Sequence, residues 1–134
     1  MVDERTQRVM MLDDEKFLLG IYKVKFEQRG YEVSSFSSAY DALNALRGGY
    51  EPDVMLFDIT MPDSPSGYEF LETVQAEKLG TKSVKIALTN EGQDAEKTRL
   101  MELGADAHLL KASFTPGELV EKVSEIVRAN RAVR

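Results

Sequence analysis

Residues 54–58 of the sequence read Val-Met-Leu-Phe-Asp, a run of four apolar residues that ends on an acid. Three further runs have the same form: residues 9–12 before Asp13 and Asp14, residues 84–88 before Thr89, and residues 107–110 before Lys111. Short apolar runs of this length are typical of strands buried on both faces of a parallel sheet. Because ligands bind at the carboxyl ends of such strands, the runs predict one crevice that holds three carboxylates, a hydroxyl and an amine.

The segments between these runs have helical periodicity. Helices are predicted at residues 15–29, 38–46, 68–79, 94–103 and from 116 onward, with a weakly alternating strand at 31–36 and the fifth strand at 108–110. Strict alternation of five strands with five helices predicts an α/β fold with a doubly wound parallel five-stranded sheet. We favour the flavodoxin-like strand order 2-1-3-4-5, which places the switch point between strands 1 and 3.

Local signals mark the helix ends and faces. Ser38 and Asp41 resemble a capping box at the start of the second helix. Thr115 is the predicted N-cap of the last helix, with Pro116 at its first position and Glu118 three residues after the cap. In the first helix, the apolar residues that we identify at helical spacing are Phe17, Leu18, Ile21 and Val24.

Length and composition narrow the class of protein. A chain of 134 residues with 43% apolar and 30% charged residues is expected to form one domain over residues 1–134, with a core at about 8–127. No cysteine is present, which excludes disulfides and thiolate metal sites. The net charge of -6 argues against direct nucleic-acid binding. Without a long apolar stretch or a signal-peptide pattern, we expect a cytoplasmic protein with no membrane segment.

The acids at the predicted switch point suggest a metal site. In the favoured order, strands 1 and 3 are neighbours, so Asp13, Asp14 and Asp58 meet there. Three carboxylates in a partly buried crevice repel one another, and a divalent cation relieves that repulsion. Oxygen ligands with open positions suit Mg²⁺ or Mn²⁺, and cation binding keeps Asp58 ionised and nucleophilic.

The same crevice suits phosphoryl transfer to a carboxylate. Attack by Asp58 on phosphorus would form an acyl phosphate, and the charge on the three transferring oxygens must then be neutralised. The metal ion is expected to bind one oxygen, the Lys111 ammonium a second, and the Thr89 hydroxyl a third.

Each of these residues alone has a simpler interpretation. Asp14 is in position to cap the first helix, a threonine at a strand end is often a turn residue, and a lysine there usually points into water. Only the joint pattern, with all four strand ends in the right order, favours the chemical interpretation.

The residues just described resemble the receiver domain of response regulators in two-component signalling, over about residues 8–127. The matching positions are Asp13-Asp14, Asp58 followed by Met61-Pro62, Thr89 and Lys111, together with Gly67 and the turn at 103–106. The resemblance implies that a sensor histidine kinase or phosphotransfer protein phosphorylates Asp58. It also implies direct Mg²⁺ binding by Asp14 and Asp58, binding by Asp13 through water, and a further ligand from the backbone carbonyl of Thr60.

The resemblance has consequences for output. A receiver domain is a phosphoacceptor that assists its own phosphorylation and dephosphorylation, so we do not expect an enzyme. Movement of Thr89 would alter the face formed by the fourth helix, fifth strand and fifth helix. The charged residues expected there either form a homodimer through mutual salt bridges or are an ordinary solvated face: Glu96, Lys97, Arg99, Glu102, Lys122 and Glu125.

Several positions depart from the family pattern. The loop after Asp58 is one residue longer and contains Pro65, and Asn90 replaces a small residue after Thr89. Ala112 replaces a proline after Lys111, so the peptide bond between them is either strained or trans, with Lys111 re-aimed; we favour trans.

His108 stands where the family has a tyrosine or phenylalanine that moves inward on phosphorylation. One interpretation is a half-exposed imidazole at the sheet edge with no switching role. The other is that His108 keeps the switch and adds pH sensitivity, because histidine titrates near pH 6.5.

Three rival functions were considered, and the sequence argues against the first two. A haloacid-dehalogenase-like phosphatase needs two acids spaced two apart after strand 1, whereas Asp13 and Asp14 are adjacent. A nucleotide-binding domain needs a glycine-rich loop there, which is missing. The departures at Asn90, His108 and Ala112 also allow a phosphorylation-independent, receiver-like protein-interaction module.

Overall fold

The structure is a computed structural model that describes residues 7–61, 64–90 and 94–133, with side chains up to residue 130. Pro62, part of the motif that carried the resemblance, lies outside the described residues. Among those residues, no helix has the length and apolar character needed to cross a bilayer.

Strands and helices alternate along the described chain. Their bounds are β1 (Arg8–Leu12), α1 (Lys16–Gln28), β2 (Glu32–Phe36), α2 (Ala39–Arg47), β3 (Val54–Asp58), α3 (Gly67–Ala76), β4 (Val84–Thr89), α4 (Asp94–Glu102), β5 (Ala107–Leu110) and α5 (Pro116–Val133). All pairings are parallel, and the sheet order is β2-β1-β3-β4-β5. The predicted fold class and strand order are therefore confirmed.

The sheet separates two apolar layers. Alternate residues of the central strands contact α1 and α5 on one face and α2, α3 and α4 on the other. Every residue of β3 and β4 is buried, as expected for strands covered on both faces. This arrangement leaves the carboxyl ends of the strands as the accessible crevice.

The face of α1 that packs on the sheet matches the set that we identified only at Leu18, which is partly buried against the core. Leu19, Tyr22 and Phe26 are buried, whereas Phe17 is 85% exposed and Val24 51% exposed. Both sets have helical spacing, and the sequence does not say which one faces the sheet. The Tyr22 ring adds apolar area to the core and so favours the observed orientation.

The helix starts are satisfied by side chains. Thr115 and Glu118 form the expected reciprocal bonds, with Thr115 N–H donating to Glu118 Oε1 at 2.9 Å and Glu118 N–H to Thr115 Oγ1 at 3.2 Å. The capping box predicted at α2 is wrong: Ser38 is the N-cap, but its hydroxyl accepts from Tyr40 N–H. Asp41 instead lies in the first turn, where a negative charge favours the helix dipole.

The start of α3 packs against the end of β3. A side-chain carbon at Gly67 would lie 2.5 Å from the Asp58 carbonyl oxygen and 2.6 Å from Ile59 Cα. Only glycine permits this approach of two backbones. Ser66 and Glu69 form a capping box beside it, which we did not predict. These contacts hold the strand that carries Asp58 in place.

Candidate functional site

The polar ends of four strands meet at one edge of the sheet. Asp13 follows β1, Asp58 ends β3, Thr89 ends β4 and Lys111 follows β5. The register of the parallel pairs aligns the strand ends, because Asp58 lies opposite Leu88 and Thr89 lies opposite Leu110. Asp13, Asp58 and Thr89 are almost fully buried. The structure therefore brings the predicted residues together.

The three acids form a cluster that can hold a cation. One carboxylate oxygen from each of Asp13, Asp14 and Asp58 lies within 4.8 Å of the others. Asp13 and Asp58 are buried, whereas Asp14 is exposed to solvent. An all-oxygen set that remains open on one side matches the preference of Mg²⁺ for carboxylates, phosphate oxygens and water.

Backbone donors orient the two buried carboxylates. Glu15 N–H donates to Asp13 Oδ1 at 2.9 Å, and Thr60 N–H donates to Asp58 Oδ1 at 3.1 Å. The alternative role of Asp14 as the helix cap is not realised, because α1 begins after Glu15 with no side-chain cap. The role of the Thr60 carbonyl as a metal ligand stays a prediction.

Lys111 bridges the two buried carboxylates. Its Nζ lies 2.7 Å from Asp13 Oδ2 and 3.1 Å from Asp58 Oδ2. The Lys111–Ala112 bond is trans, as we favoured. The side chain is not re-aimed, however, because the ammonium contacts both acids in the crevice, although a short 3₁₀ turn over Lys111–Ser113 follows β5.

Burial and neighbouring charges shift the pKa values of Asp58 and Lys111. Burial raises the pKa of Asp58, and the neighbouring Asp13 adds to this, while Lys111 opposes it. Burial alone would lower the pKa of Lys111, but its contacts with Asp13 and Asp58 outweigh that effect and raise the pKa. The ammonium is therefore firmly charged. The surroundings of Asp58 disfavour its negative charge, and a bound cation would reduce that effect.

Thr89 forms a hydrogen bond with His108, the only histidine in the sequence. Its Oγ1 lies 2.8 Å from His108 Nε2, and the His108 side chain is only 7% exposed. Glu96 Oε1 of α4 lies 3.9 Å from the same nitrogen. His108 does lie on an edge strand, β5, but its imidazole is more buried than the half-exposed one of the first interpretation. Its role in switching stays a prediction.

Some charges of the predicted output face have partners within the chain. The Arg99 guanidinium lies 3.9 Å from the centre of the Tyr68 ring and 3.9 Å from Glu72 Oε1, which ties α4 to α3. Lys122 Nζ lies 3.8 Å from Glu125 Oε2. A homodimer through these charges stays a prediction.

An apolar surface beside the acids was missed from the sequence. Phe17, Gly20, Ile21 and Val24 line a shallow depression of about 480 Å³ on α1, with Lys16 and Lys25 at its border. The signal was present in the surplus of apolar residues in α1, which exceeds what one buried face needs. Exposed apolar patches on small domains often mark interaction sites.

Fold and site together define a class of protein. The family profile described as response regulator receiver domain matches residues 9–124. The chain belongs to this family and is the receiver domain of a response regulator in two-component signalling. Members of the family generally bind Mg²⁺ through an acidic pocket, and they interact with histidine kinases or phosphotransfer proteins.

Individual relatives agree with this assignment. Response regulator SaeR of Staphylococcus aureus is 30% identical over 119 residues, which cover 89% of this chain and 50% of SaeR. The chain thus spans about half the length of the curated relatives that it matches. A CheY-like receiver domain protein from Methanospirillum hungatei JF-1 has a TM-score of 0.84 at 27% identity, with coverage of 97% of this chain and 100% of that chain. DrrB from Thermotoga maritima, described as an OmpR/PhoB homolog, has a TM-score of 0.79 at 26% identity, covering 94% and 54%.

Proposed function

We propose that Asp58 accepts a phosphoryl group from a phosphohistidine of a sensor kinase or phosphotransfer protein. A carboxylate oxygen of Asp58 attacks phosphorus, the P–N bond breaks, and the leaving imidazole takes up a proton. The product is an aspartyl phosphate, which water later hydrolyses. The observation that carries this proposal is the bridge from Lys111 to Asp58 and Asp13 inside the acidic cluster.

Different residues of the crevice would neutralise the charge on different phosphoryl oxygens. The groups that would hold Mg²⁺ or Mn²⁺, and so neutralise one phosphoryl oxygen, are Asp13, Asp14, Asp58 and the Thr60 carbonyl. Lys111 is already within bonding distance of Asp58 and would follow the transferred group. The Thr89 hydroxyl would bond to a further oxygen and pass the change to α4, β5 and α5. The domain assists its own reaction and is not proposed as an enzyme that turns over a separate substrate; its place is the cytoplasm.

Departures from the family pattern leave these contacts in place. Lys111 reaches Asp58 although Ala112 follows it, and His108 bonds to Thr89. Asn90 is exposed. The phosphorylation-independent interaction module therefore has less support than the phosphoacceptor.

The test uses the intact chain with acetyl phosphate. We expect a mass increase of one phosphoryl group with Mg²⁺ or Mn²⁺, and none after a chelator removes the cation. No increase in a folded sample with Mg²⁺ would favour the interaction module. Repeated turnover of small phosphate esters would favour a phosphatase.

We also propose the exposed apolar surface of α1 as the docking site for the phosphodonor. Phe17 is exposed in the first turn of α1, three residues after Asp14, so this surface begins close in the chain to the acidic cluster. The bordering Lys16 and Lys25 suit a partner with acidic residues around an apolar helix face.

Replacing Phe17 should separate docking from chemistry. In Phe17→Ala, we expect transfer from an autophosphorylated sensor kinase that phosphorylates the wild type to slow about tenfold or more, because a buried aromatic anchor is lost from the interface. Phosphorylation by acetyl phosphate should not change. Tyr40→Ala, which removes an exposed aromatic from α2, is the matched control. Equal slowing with both donors would contradict the docking role.

A further inference from the structure

We propose that Ser64 positions the Asp58 nucleophile by tying the loop between β3 and α3 to the first turn of α2. Ser64 acts through the loop and through Thr60, so it is a positioning residue. The inference rests on the proposed phosphorylation of Asp58, because it concerns the orientation of that carboxylate. It gives α2, which contributes none of the three acids of the cluster, an influence on the site.

The hydroxyl of Ser64 joins the loop to α2. Its Oγ accepts from the backbone N–H of Ala39 at 3.2 Å and donates to the carbonyl oxygen of Pro65 at 3.3 Å. Ala39 is the first residue of α2, where a backbone N–H has no carbonyl partner within the helix. A serine from another part of the chain therefore satisfies this donor, and its hydroxyl is fixed because it both accepts and donates.

The backbone of the loop connects this contact to the nucleophile. The N–H of Ser64 points to the carbonyl of Met61, with 3.5 Å between nitrogen and oxygen. Met61 directly follows Thr60, whose N–H donates to Asp58 Oδ1 at 3.1 Å. Ser64 thus links the start of α2 to the segment that orients the Asp58 carboxylate.

Apolar packing holds the near part of the loop without fixing its direction. Ile59 and Met61 are buried in the same apolar cluster as Ala39. Such packing is not directional, whereas a hydrogen bond is. Among the described residues of the loop, Ser64 is the one whose side chain forms a hydrogen bond with α2. Its hydroxyl therefore supplies the directional constraint between the two elements.

The length of this loop makes such a constraint matter. The loop has one residue more than the family pattern, and it contains Pro65. Each additional residue adds conformational freedom that must be restricted when the loop is ordered. A displacement of about 1 Å in a reacting group can lower a rate about a hundredfold. We therefore expect loss of the Ser64 hydroxyl to slow phosphoryl transfer to Asp58 without abolishing it.

Hydrogen exchange in the unphosphorylated chain gives the first test. In Ser64→Ala, the amide of Thr60 should exchange about fivefold faster than in the wild type, because the loop that holds its bond to Asp58 is loosened. The matched control is Ser38→Ala. It removes the other hydroxyl at the start of α2, which accepts from Tyr40 N–H at the same distance of 3.2 Å. Unchanged exchange of Thr60 in Ser64→Ala would overturn the inference.

The rate of phosphorylation by acetyl phosphate with Mg²⁺ gives the second test. This rate should fall about fivefold in Ser64→Ala, whereas Ser64→Thr, which keeps a hydroxyl, and Ser38→Ala should stay close to the wild type. Each alanine variant leaves one backbone N–H of α2 without its side-chain acceptor. Equal slowing in both would show a general weakening of α2 and would overturn the inference. No phosphorylation of the wild type would instead overturn the proposed function.

Discussion

Asp58→Asn is expected to abolish the mass increase that acetyl phosphate produces with Mg²⁺. The amide keeps the shape of the carboxylate but is not a nucleophile, so no acyl phosphate can form. Intact-mass measurement checks this, and Asp41→Asn, in the first turn of α2, should retain the full increase. An undiminished increase in Asp58→Asn would place the phosphoryl group elsewhere, with Asp13 the nearest alternative.

The same substitution should stabilise the fold at neutral pH. Burial, with a further contribution from Asp13, raises the pKa of Asp58 despite the opposing effect of Lys111. The folded state therefore binds this proton more tightly than the unfolded state, and ionising Asp58 costs stability. We expect Asp58→Asn to melt several degrees above the wild type at pH 7 in the absence of divalent cations. This difference in melting temperature should shrink as the pH falls through the pKa of Asp58 in the folded state, and it should vanish below the pKa in the unfolded state. A difference that does not depend on pH would show that the ionisation of Asp58 is not its cause.

Lys111→Met should have the largest effect on stability. It removes the only cation that the structure places in contact with Asp13 and Asp58, among the described residues, and leaves two buried carboxylates facing each other. Breaking one side of a buried ion pair costs about 3–5 kcal/mol. The pKa of Lys111 is raised, so its contribution is fully present at neutral pH and would be lost only above the folded pKa. Urea unfolding at pH 7 measures the change, with the exposed Lys23→Met on α1 as control.

Two further measurements on Lys111→Met would establish the origin of its loss of stability. Asp13→Asn in the Lys111→Met background should restore part of the stability, because one of the repelling charges is removed. Adding Mg²⁺ should also restore part of it through binding to the native acids. If neither Asp13→Asn nor Mg²⁺ restores stability, the loss comes from damaged packing and not from unbalanced charge.

The positions of the acids, the threonine and the lysine could be predicted before any coordinates. Each follows an apolar run, and a parallel sheet places the ends of such runs at one edge. Strict alternation of strands and helices predicted the parallel sheet, and the observed strand order was the one that we favoured among the few topologies that such a sheet allows. The orientation of α1 could not be predicted, because Phe17, Ile21 and Val24 have the same spacing as Leu19, Tyr22 and Phe26. Which set packs on the sheet depends on the whole core.

The same division holds within the site. The sequence by itself determined which chemical groups stand at the strand ends, since local periodicity and the parallel topology are enough to place them. Only the tertiary structure decided which atoms meet: the Lys111 ammonium between two carboxylates, and His108 on Thr89 with Glu96 nearby. These contacts depend on side chains from separate elements that pack at distances of a few ångströms, and no local pattern specifies such distances.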